Sequence, residues 1–316
     1  MTLTASAPRL FSGVVPPVVT PLAEDGAIDH ASLERVVDSL VSAGVDGLFA
    51  LGSTGETAYF TDDERVAILR TIVSAADGRV PIIAGAIELT ASRIAQTAGR
   101  LAGAGADAVV TTAPLYALNS AAETADHFRR IASAIDVPLW AYDVPVRVHS
   151  KLSADLLVGL GSEGVIAGVK DSSGDDVGFR RLIAANDAAG HPLQVLTGHE
   201  VVVDAMGLAG ADGVVPGLAN VDAAGYVRLW AAVRDGDWAA ARAEQERLNR
   251  VFEIVFQTAG LSPDAAGVGA FKAAMAALGL IESATMAFPV TAIEGDAIER
   301  IRAVLASTGL LAVTAA

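Results

Sequence analysis

Residues 137–173 read VPLWAYDVPVRVHSKLSADLLVGLGSEGVIAGVKDSS and contain two short apolar runs. The runs are VPLWAYDVP (137–145) and VIAGVKDSS (165–173), and a longer helix-like stretch separates them. Continuous apolar runs of this length are typical of parallel strands that are covered on both faces. The segment therefore predicts a strand–helix–strand unit, with Tyr142 and Lys170 at the ends of neighbouring strands.

The same alternation of strand and helix accounts for most of the chain. The other predicted strands are 13–21, 46–54, 80–87, 106–114, 193–198 and 212–219. Two of the helices are predicted over 30–44 and 61–78, and the second begins with a capping box formed by Thr61 and Glu64. Eight strand–helix units without a break in composition favour an α/β fold, a (β/α)8 TIM barrel over residues 1–236, rather than a doubly wound open sheet.

The alternation stops after residue 236. Residues 237–260, 266–279 and 291–311 have the patterns of three further helices. No linker or low-complexity tract precedes them. We therefore expect a C-terminal three-helix extension, residues 237–316, in the same structural unit as the barrel.

Composition excludes several classes of function. The chain has 316 residues and a formal net charge of −15, which disfavours nucleic acid and anionic membranes as partners. Cysteine is absent, so thiolate catalysis and cysteine-ligated metals are excluded. The N-terminus lacks the pattern of a signal peptide, and no apolar run reaches the ~18 residues of a membrane span. We expect a cytoplasmic protein without nucleic-acid or membrane partners.

Lys170 is one of only three lysines, with Lys151 and Lys272, and it follows the apolar run VIAGV. In TIM barrels, reactive side chains lie at the carboxyl ends of the strands. A lysine that faces an apolar barrel interior is desolvated, which favours the neutral amine that attacks a ketone to form a Schiff base. The alternative is an ammonium that extends to the barrel rim and pairs with a nearby aspartate.

Two further strand ends carry candidate residues. Tyr142 lies on the strand next to that of Lys170 and is either a proton shuttle or a core tyrosine. The stretch LGSTGE (51–56) follows the second strand. Its glycines, Gly52 among them, allow a backbone to approach a ligand, and the hydroxyls of Ser53 and Thr54 suit a carboxylate; as a bare pattern it is an ordinary turn.

Taken together, GSTGE, YDVP and GVKDSSGD, in this order and spacing, resemble the dihydrodipicolinate synthase / N-acetylneuraminate lyase family of pyruvate-dependent class I aldolases. The resemblance extends over nearly the whole chain and includes PPVVTPL (16–22), PLY (114–116), LTG (196–198) and GADGVVPGLAN (210–220).

The resemblance implies a role for each matching residue. Lys170 would form the Schiff base with pyruvate, and Tyr142 would shuttle the proton. Ser53 and Thr54 would hold the pyruvate carboxylate, and Thr54 would extend a hydroxyl relay to Tyr142. Further implied positions are Tyr116, which completes that relay across a dimer interface, and Gly198 and Val215, whose backbones line the pocket. The resemblance also implies a homotetramer, a dimer of dimers, without a metal or an organic cofactor.

The second substrate is predicted less directly. An arginine at the place of Arg147 binds the carboxylate of aspartate semialdehyde in the synthase branch, and Tyr116 fits that branch as well. GSTGE and KDSSGD are closer to the aldolase and lyase branches, and Glu88 is expected to line the pocket and suit a hydroxylated substrate. We favour an aldolase that cleaves or forms a 4-hydroxy-2-keto acid, with pyruvate and an aldehyde as its partners.

Two alternatives stay open. One is 4-hydroxy-tetrahydrodipicolinate synthase, which condenses pyruvate with aspartate semialdehyde. The other is a catalytically silent sensor of keto acids. A metal-dependent aldolase is disfavoured because the five histidines form no HxH or HxxxH pair. His199 and Glu200 follow the seventh strand, and a solvated or capping role is favoured for them over substrate contact.

Overall fold

The computed structural model describes residues 10–312. Eight parallel strands form one curved sheet in the order β1-β8-β7-β6-β5-β4-β3-β2. A parallel bridge between Pro17 and Phe49 joins the two ends of the sheet and closes the barrel. The strands are β1 (Gly13–Val14), β2 (Leu48–Ala50), β3 (Ile82–Gly85), β4 (Ala108–Thr112), β5 (Leu139–Asp143), β6 (Gly168–Asp171), β7 (Gln194–Thr197) and β8 (Gly213–Val214).

Helices follow the strands around the barrel. They are α1 (His30–Ser42), α2 (Asp62–Ala76), α3 (Ala91–Gly103), α4 (Ala121–Ala132), α5 (Pro145–Val148), α6 (Ala154–Ser162), α7 (Asp176–Ala188), α8 (Val203–Ala209) and α9 (Ala219–Asp235). The capping box of Thr61 and Glu64 is confirmed at the start of α2. The (β/α)8 barrel predicted from the sequence is therefore confirmed.

The C-terminal extension consists of α10 (Trp238–Phe252), α11 (Pro263–Ala277) and α12 (Asp296–Ser307), with a 3-10 turn over Glu253–Phe256. All three predicted helices are present, although α12 is shorter than the predicted 291–311. The division into residues 1–236 and 237–316 stays a prediction, and the chain ends 1–9 and 313–316 lie outside the described residues.

The strands in the structure are shorter than the apolar runs that predicted them. The run 165–173 contains β6 over Gly168–Asp171, and the run 13–21 contains β1 over Gly13–Val14. The extra residues belong to the loops at the strand ends. The candidate site lies at the carboxyl ends of the strands and in the loops that follow them.

Candidate active site

Lys170 and Tyr142 lie side by side at the carboxyl ends of β6 and β5. The parallel register pairs Tyr142 directly with Lys170. The ammonium of Lys170 lies 4.3 Å from the centroid of the Tyr142 ring and 4.7 Å from that of Phe49. Both side chains are buried, Lys170 at 7% exposure and Tyr142 at 3%. An amine enclosed by two aromatic faces has little water around it and lies within reach of a phenol.

The hydroxyl of Tyr142 is held by polar neighbours. Burial acts to raise the pKa of Tyr142, but the charge of Lys170 and hydrogen bonds with Ser53, Lys170 and Ser172 outweigh burial, so the pKa lies below its ordinary value. A phenol with a lowered pKa beside an amine is suited to moving a proton.

The loop after β2 turns sharply beside Tyr142. Leu51 and Glu56 both have left-handed backbone angles, with φ of 58° and 57°. A Cβ at Gly52 would lie 2.8 Å from the Phe49 ring, and one at Gly55 would lie 3.0 Å from the Val18 carbonyl oxygen. The glycines are therefore required by packing within the protein, and their closeness to a ligand stays a prediction.

Ser53 is the residue of this loop that helps to lower the pKa of Tyr142. The resemblance implied that Ser53 and Thr54 hold the carboxylate and that Thr54 extends the relay to Tyr142. Thr54 is only partly buried. Its contacts with a substrate stay a prediction.

Ser172 belongs to the site and was missed in the sequence analysis. Its hydroxyl lies close enough to Tyr142 to help lower the pKa of that phenol, and its backbone N–H donates to the carbonyl of Asp143 over 2.8 Å. A Cβ at Gly198 would lie only 2.1 Å from Ser172 Oγ, so a side chain there would displace the Ser172 hydroxyl. The signal that could have found Ser172 is its place two residues after Lys170 in KDSSGD.

The carboxyl of Glu200 also lies near Lys170. The backbone N–H of Leu218 donates to Glu200 Oε2 over 2.6 Å, at the start of α9. Burial raises the pKa of Glu200 to about 7, although the Leu218 hydrogen bond and the Lys170 charge oppose the shift. This contact is with the residue before α9 and not with α8, the helix that follows Glu200, so the capping role stays a prediction. His199 pairs instead with Asp176, at 2.8 Å.

Arg147 and Glu88 are both engaged by charged partners within the protein. Arg147 makes a two-pronged contact with Asp264, in which Nη1 lies 2.9 Å from Oδ2. Glu88 is buried, and its two oxygens lie 2.6 Å from Arg65 Nη1 and 3.1 Å from Arg93 Nε. The roles predicted for Arg147 and Glu88 in substrate binding stay predictions.

The remaining predicted residues are divided between the pocket and the surface. Val215 is buried, and its N–H donates to the carbonyl of Thr197 over 2.8 Å. Tyr116 has a left-handed φ of 63° and is 99% exposed in the single chain. The structure therefore brings Lys170, Tyr142 and Ser53 together, and it leaves Tyr116 outside this cluster.

Within residues 10–312, no group of three or more His, Asp or Glu side chains is arranged to hold a metal ion. Across the same part of the chain, no helix is both long and apolar enough to cross a membrane.

A TIM barrel with a lysine and a tyrosine paired at adjacent strand ends has the site architecture of a lyase that forms a Schiff base. Comparison with known proteins agrees. The sequence model of the Dihydrodipicolinate synthetase family matches residues 10–308, and the chain belongs to this family. It is a pyruvate-dependent carbon–carbon lyase.

The relatives carry two kinds of name. An uncharacterized DapA-like lyase of Halobacterium salinarum is 34% identical over 306 residues, 96% of each chain. A 4-hydroxy-tetrahydrodipicolinate synthase of Phenylobacterium zucineum is 31% identical, covering 96% of this chain and 99% of its own. YagE, a prophage protein of this family from E. coli K12 solved in complex with pyruvate, has a TM-score of 0.88 and 28% identity and covers 96% of this chain and 100% of its own.

Proposed function

We propose that the protein is a class I aldolase that cleaves or forms a 4-hydroxy-2-keto acid, with pyruvate and an aldehyde as the products of cleavage. The observation that carries the proposal is the buried pair of Lys170 and Tyr142, with the ammonium 4.3 Å from the phenol ring centroid. The covalent carrier of the reaction is Lys170 itself, without an organic cofactor.

The reaction begins at the lysine. The neutral amine of Lys170 attacks the keto carbon, and loss of water gives an iminium. Tyr142 then takes the proton of the 4-hydroxyl, the bond between C3 and C4 breaks, and its electron pair moves into the iminium to give an enamine. The aldehyde leaves, the enamine is protonated at C3, and hydrolysis releases pyruvate and the free amine.

The loop over residues 51–56 is the proposed carboxylate site. In this proposal its backbone amides and the hydroxyls of Ser53 and Thr54 face the substrate beside the Lys170–Tyr142 pair. Backbone amides in such turns suit anionic groups. A carboxylate held there places the neighbouring keto carbon toward Lys170, with Gly198 and Val215 along the pocket wall.

The pairing of Arg147 with Asp264 favours a neutral, hydroxylated aldehyde as the second substrate. Asp264 already satisfies the guanidinium of Arg147, and a two-pronged carboxylate contact is a strong one. A second carboxylate, as in aspartate semialdehyde, would have to displace Asp264. The alternative, 4-hydroxy-tetrahydrodipicolinate synthase, is favoured by the presence of Arg147 and by the names of several relatives.

Turnover assays separate these substrates. We expect cleavage of 2-keto-3-deoxy sugar acids to exceed condensation of pyruvate with aspartate semialdehyde in kcat/KM. In Asp264→Asn the freed Arg147 should lower the KM for aspartate semialdehyde about tenfold, the ratio that ~1.4 kcal/mol gives. Efficient condensation by the wild-type enzyme would overturn the aldolase assignment.

Covalent trapping tests the mechanism common to both reactions. Pyruvate and borohydride should add one reduced pyruvate unit to the wild-type chain and none to Lys170→Ala. Trapping without turnover of any substrate would favour the keto-acid sensor.

We also propose a cytoplasmic homotetramer, a dimer of dimers. Tyr116 is 99% exposed and Leu118 93% exposed on the loop after β4, and Leu89 is 54% exposed after β3. Neighbouring large apolar side chains of this kind fit contact with a second copy. Light scattering should give four chains, and Tyr116→Asp should lower that number.

A further inference from the structure

We propose that Lys151, Asp143 and Asp171 form a positioning cluster that holds Tyr142 and Lys170 in their reacting geometry. The inference rests on the proposed function of Tyr142 and Lys170. It concerns the outer face of β5 and β6, which packs against the helices rather than the barrel interior.

The register of the two strands places an aspartate behind each reacting residue. Tyr142 pairs with Lys170, and the next residues, Asp143 and Asp171, pair with each other. Successive side chains on a strand point to opposite faces, so both aspartates point away from the reacting groups. They are buried nevertheless, since the side chain of Asp143 is 0% exposed and that of Asp171 is 4% exposed.

Lys151 bridges the two carboxylates from the segment between α5 and α6. Its ammonium contacts Oδ2 of Asp143 and lies 3.4 Å from Oδ2 of Asp171. The other oxygen of each aspartate accepts a backbone N–H, from Leu152 at 3.0 Å and from Ser173 at 2.8 Å. Each buried carboxylate thus accepts one backbone N–H, and the two carboxylates share the ammonium of Lys151.

The charges of the cluster depend on that ammonium. Burial raises the pKa of Asp143, and Asp171 adds to this, while Lys151 and the Leu152 amide oppose it. Burial acts to lower the pKa of Lys151, but the hydrogen bond to Asp143 and the charges of both aspartates outweigh it and raise the pKa. Without Lys151, two carboxylates would face each other across adjacent strands, which is destabilising.

Movement of these strand ends would reach the chemistry directly. Asp143 follows Tyr142, and Asp171 lies between Lys170 and Ser172, whose side chain contacts the Tyr142 hydroxyl. The bond from Ser172 N–H to the Asp143 carbonyl, 2.8 Å, joins the two strands at this point. A displacement of about 1 Å at a reacting group costs on the order of a hundredfold in rate.

The test compares Lys151→Met with a matched removal of a surface charge, Arg129→Met, whose partner Glu163 lies on the outside of the barrel. We expect Lys151→Met to lower kcat about a hundredfold, with a smaller change in KM, and to slow borohydride trapping of pyruvate. In Lys151→Met we expect one of the two aspartates to take up a proton. The remaining activity should then fall as the pH rises and that aspartate loses the proton. The groups around this proton are Asp143, Asp171 and, on the inner face, Lys170.

Neutralising both aspartates should restore activity. Lys151→Met/Asp143→Asn/Asp171→Asn leaves no unpaired carboxylate behind the two strands, so we expect kcat within about tenfold of the wild type and no added pH dependence. If Lys151→Met does not fold, this triple variant carries the test, and a hundredfold loss in it contradicts the charge balance.

One result would overturn the inference but not the proposed function. In it, pyruvate is trapped normally by the wild type, and Lys151→Met has the same kinetics as Arg129→Met. Absence of trapping in the wild type would instead overturn the proposed function, and the inference with it.

Discussion

The buried ion pair between Glu56 and Lys272 joins the carboxylate loop to the C-terminal extension. Lys272 is 0% exposed and Glu56 is 3% exposed, and their charged groups are in contact. The Ala287 N–H donates to Glu56 Oε1 over 2.8 Å, and Lys272 donates to the Thr285 carbonyl over 2.9 Å. We predict that Lys272→Met destabilises the fold strongly, because it leaves a buried carboxylate without its counter-charge.

Removing one partner of such a pair costs about 3–5 kcal/mol. At about 2.1 cal/mol/K per residue, unfolding of a chain of this length carries an entropy of about 0.66 kcal/mol/K, so Tm should fall by about 5–8 °C. Burial lowers the pKa of Lys272, although Glu56 opposes the shift, which agrees with a desolvated site.

Calorimetry or urea unfolding measures the loss, with two comparison variants. Lys272→Met/Glu56→Gln should recover much of the lost Tm because no charge is left buried. Arg242→Met removes one partner of an exposed pair with Glu246 and should cost only about 0.3–0.5 kcal/mol. A surface effect of this size changes Tm by about 1 °C. The reasoning would be refuted if the Tm of Lys272→Met lay within about 1 °C of the Tm of Arg242→Met.

Three further predictions concern the site. Tyr142→Phe should lower kcat by about 10²–10⁴-fold, measured in steady-state assays, because it removes the group that moves the proton; activity near that of the wild type would rule out this role. Ser172→Ala removes a hydrogen bond that lowers the Tyr142 pKa, so ultraviolet titration should show that pKa rise, and an unchanged titration would contradict the contact. Glu200 holds its proton to about pH 7 in the folded chain, whereas the unfolded chain loses it near 4.5. The folded chain therefore binds more protons between these values, and stability should fall as pH rises through them. Glu200→Gln should reduce that slope, and an equal slope in both proteins would contradict the raised pKa of Glu200.

The barrel and the Lys170–Tyr142 pair were predictable because their signals are local. The apolar runs 137–145 and 165–173 carry Tyr142 and Lys170 near their ends, and parallel strands bring their carboxyl ends to one face. The capping box of Thr61 and Glu64 is equally local, since its residues are three apart.

What the sequence did not reveal depends on contacts between distant segments. Asp264 is 117 residues from Arg147, and no pattern indicates that the two side chains meet. Glu56 and Lys272 are further apart still and belong to different parts of the fold. Lys151 was noticed only as one of three lysines, because its partners become neighbours through the strand register.

The central claim is that Lys170 forms the covalent bond to the substrate, and the three lysines make it directly measurable. Peptide mass mapping after treatment with pyruvate and borohydride assigns the adduct to one side chain. We predict a reduced pyruvate adduct on Lys170 alone, with Lys151 and Lys272 unmodified. An adduct on either of those lysines, or an equal yield from Lys170→Ala, would contradict the account.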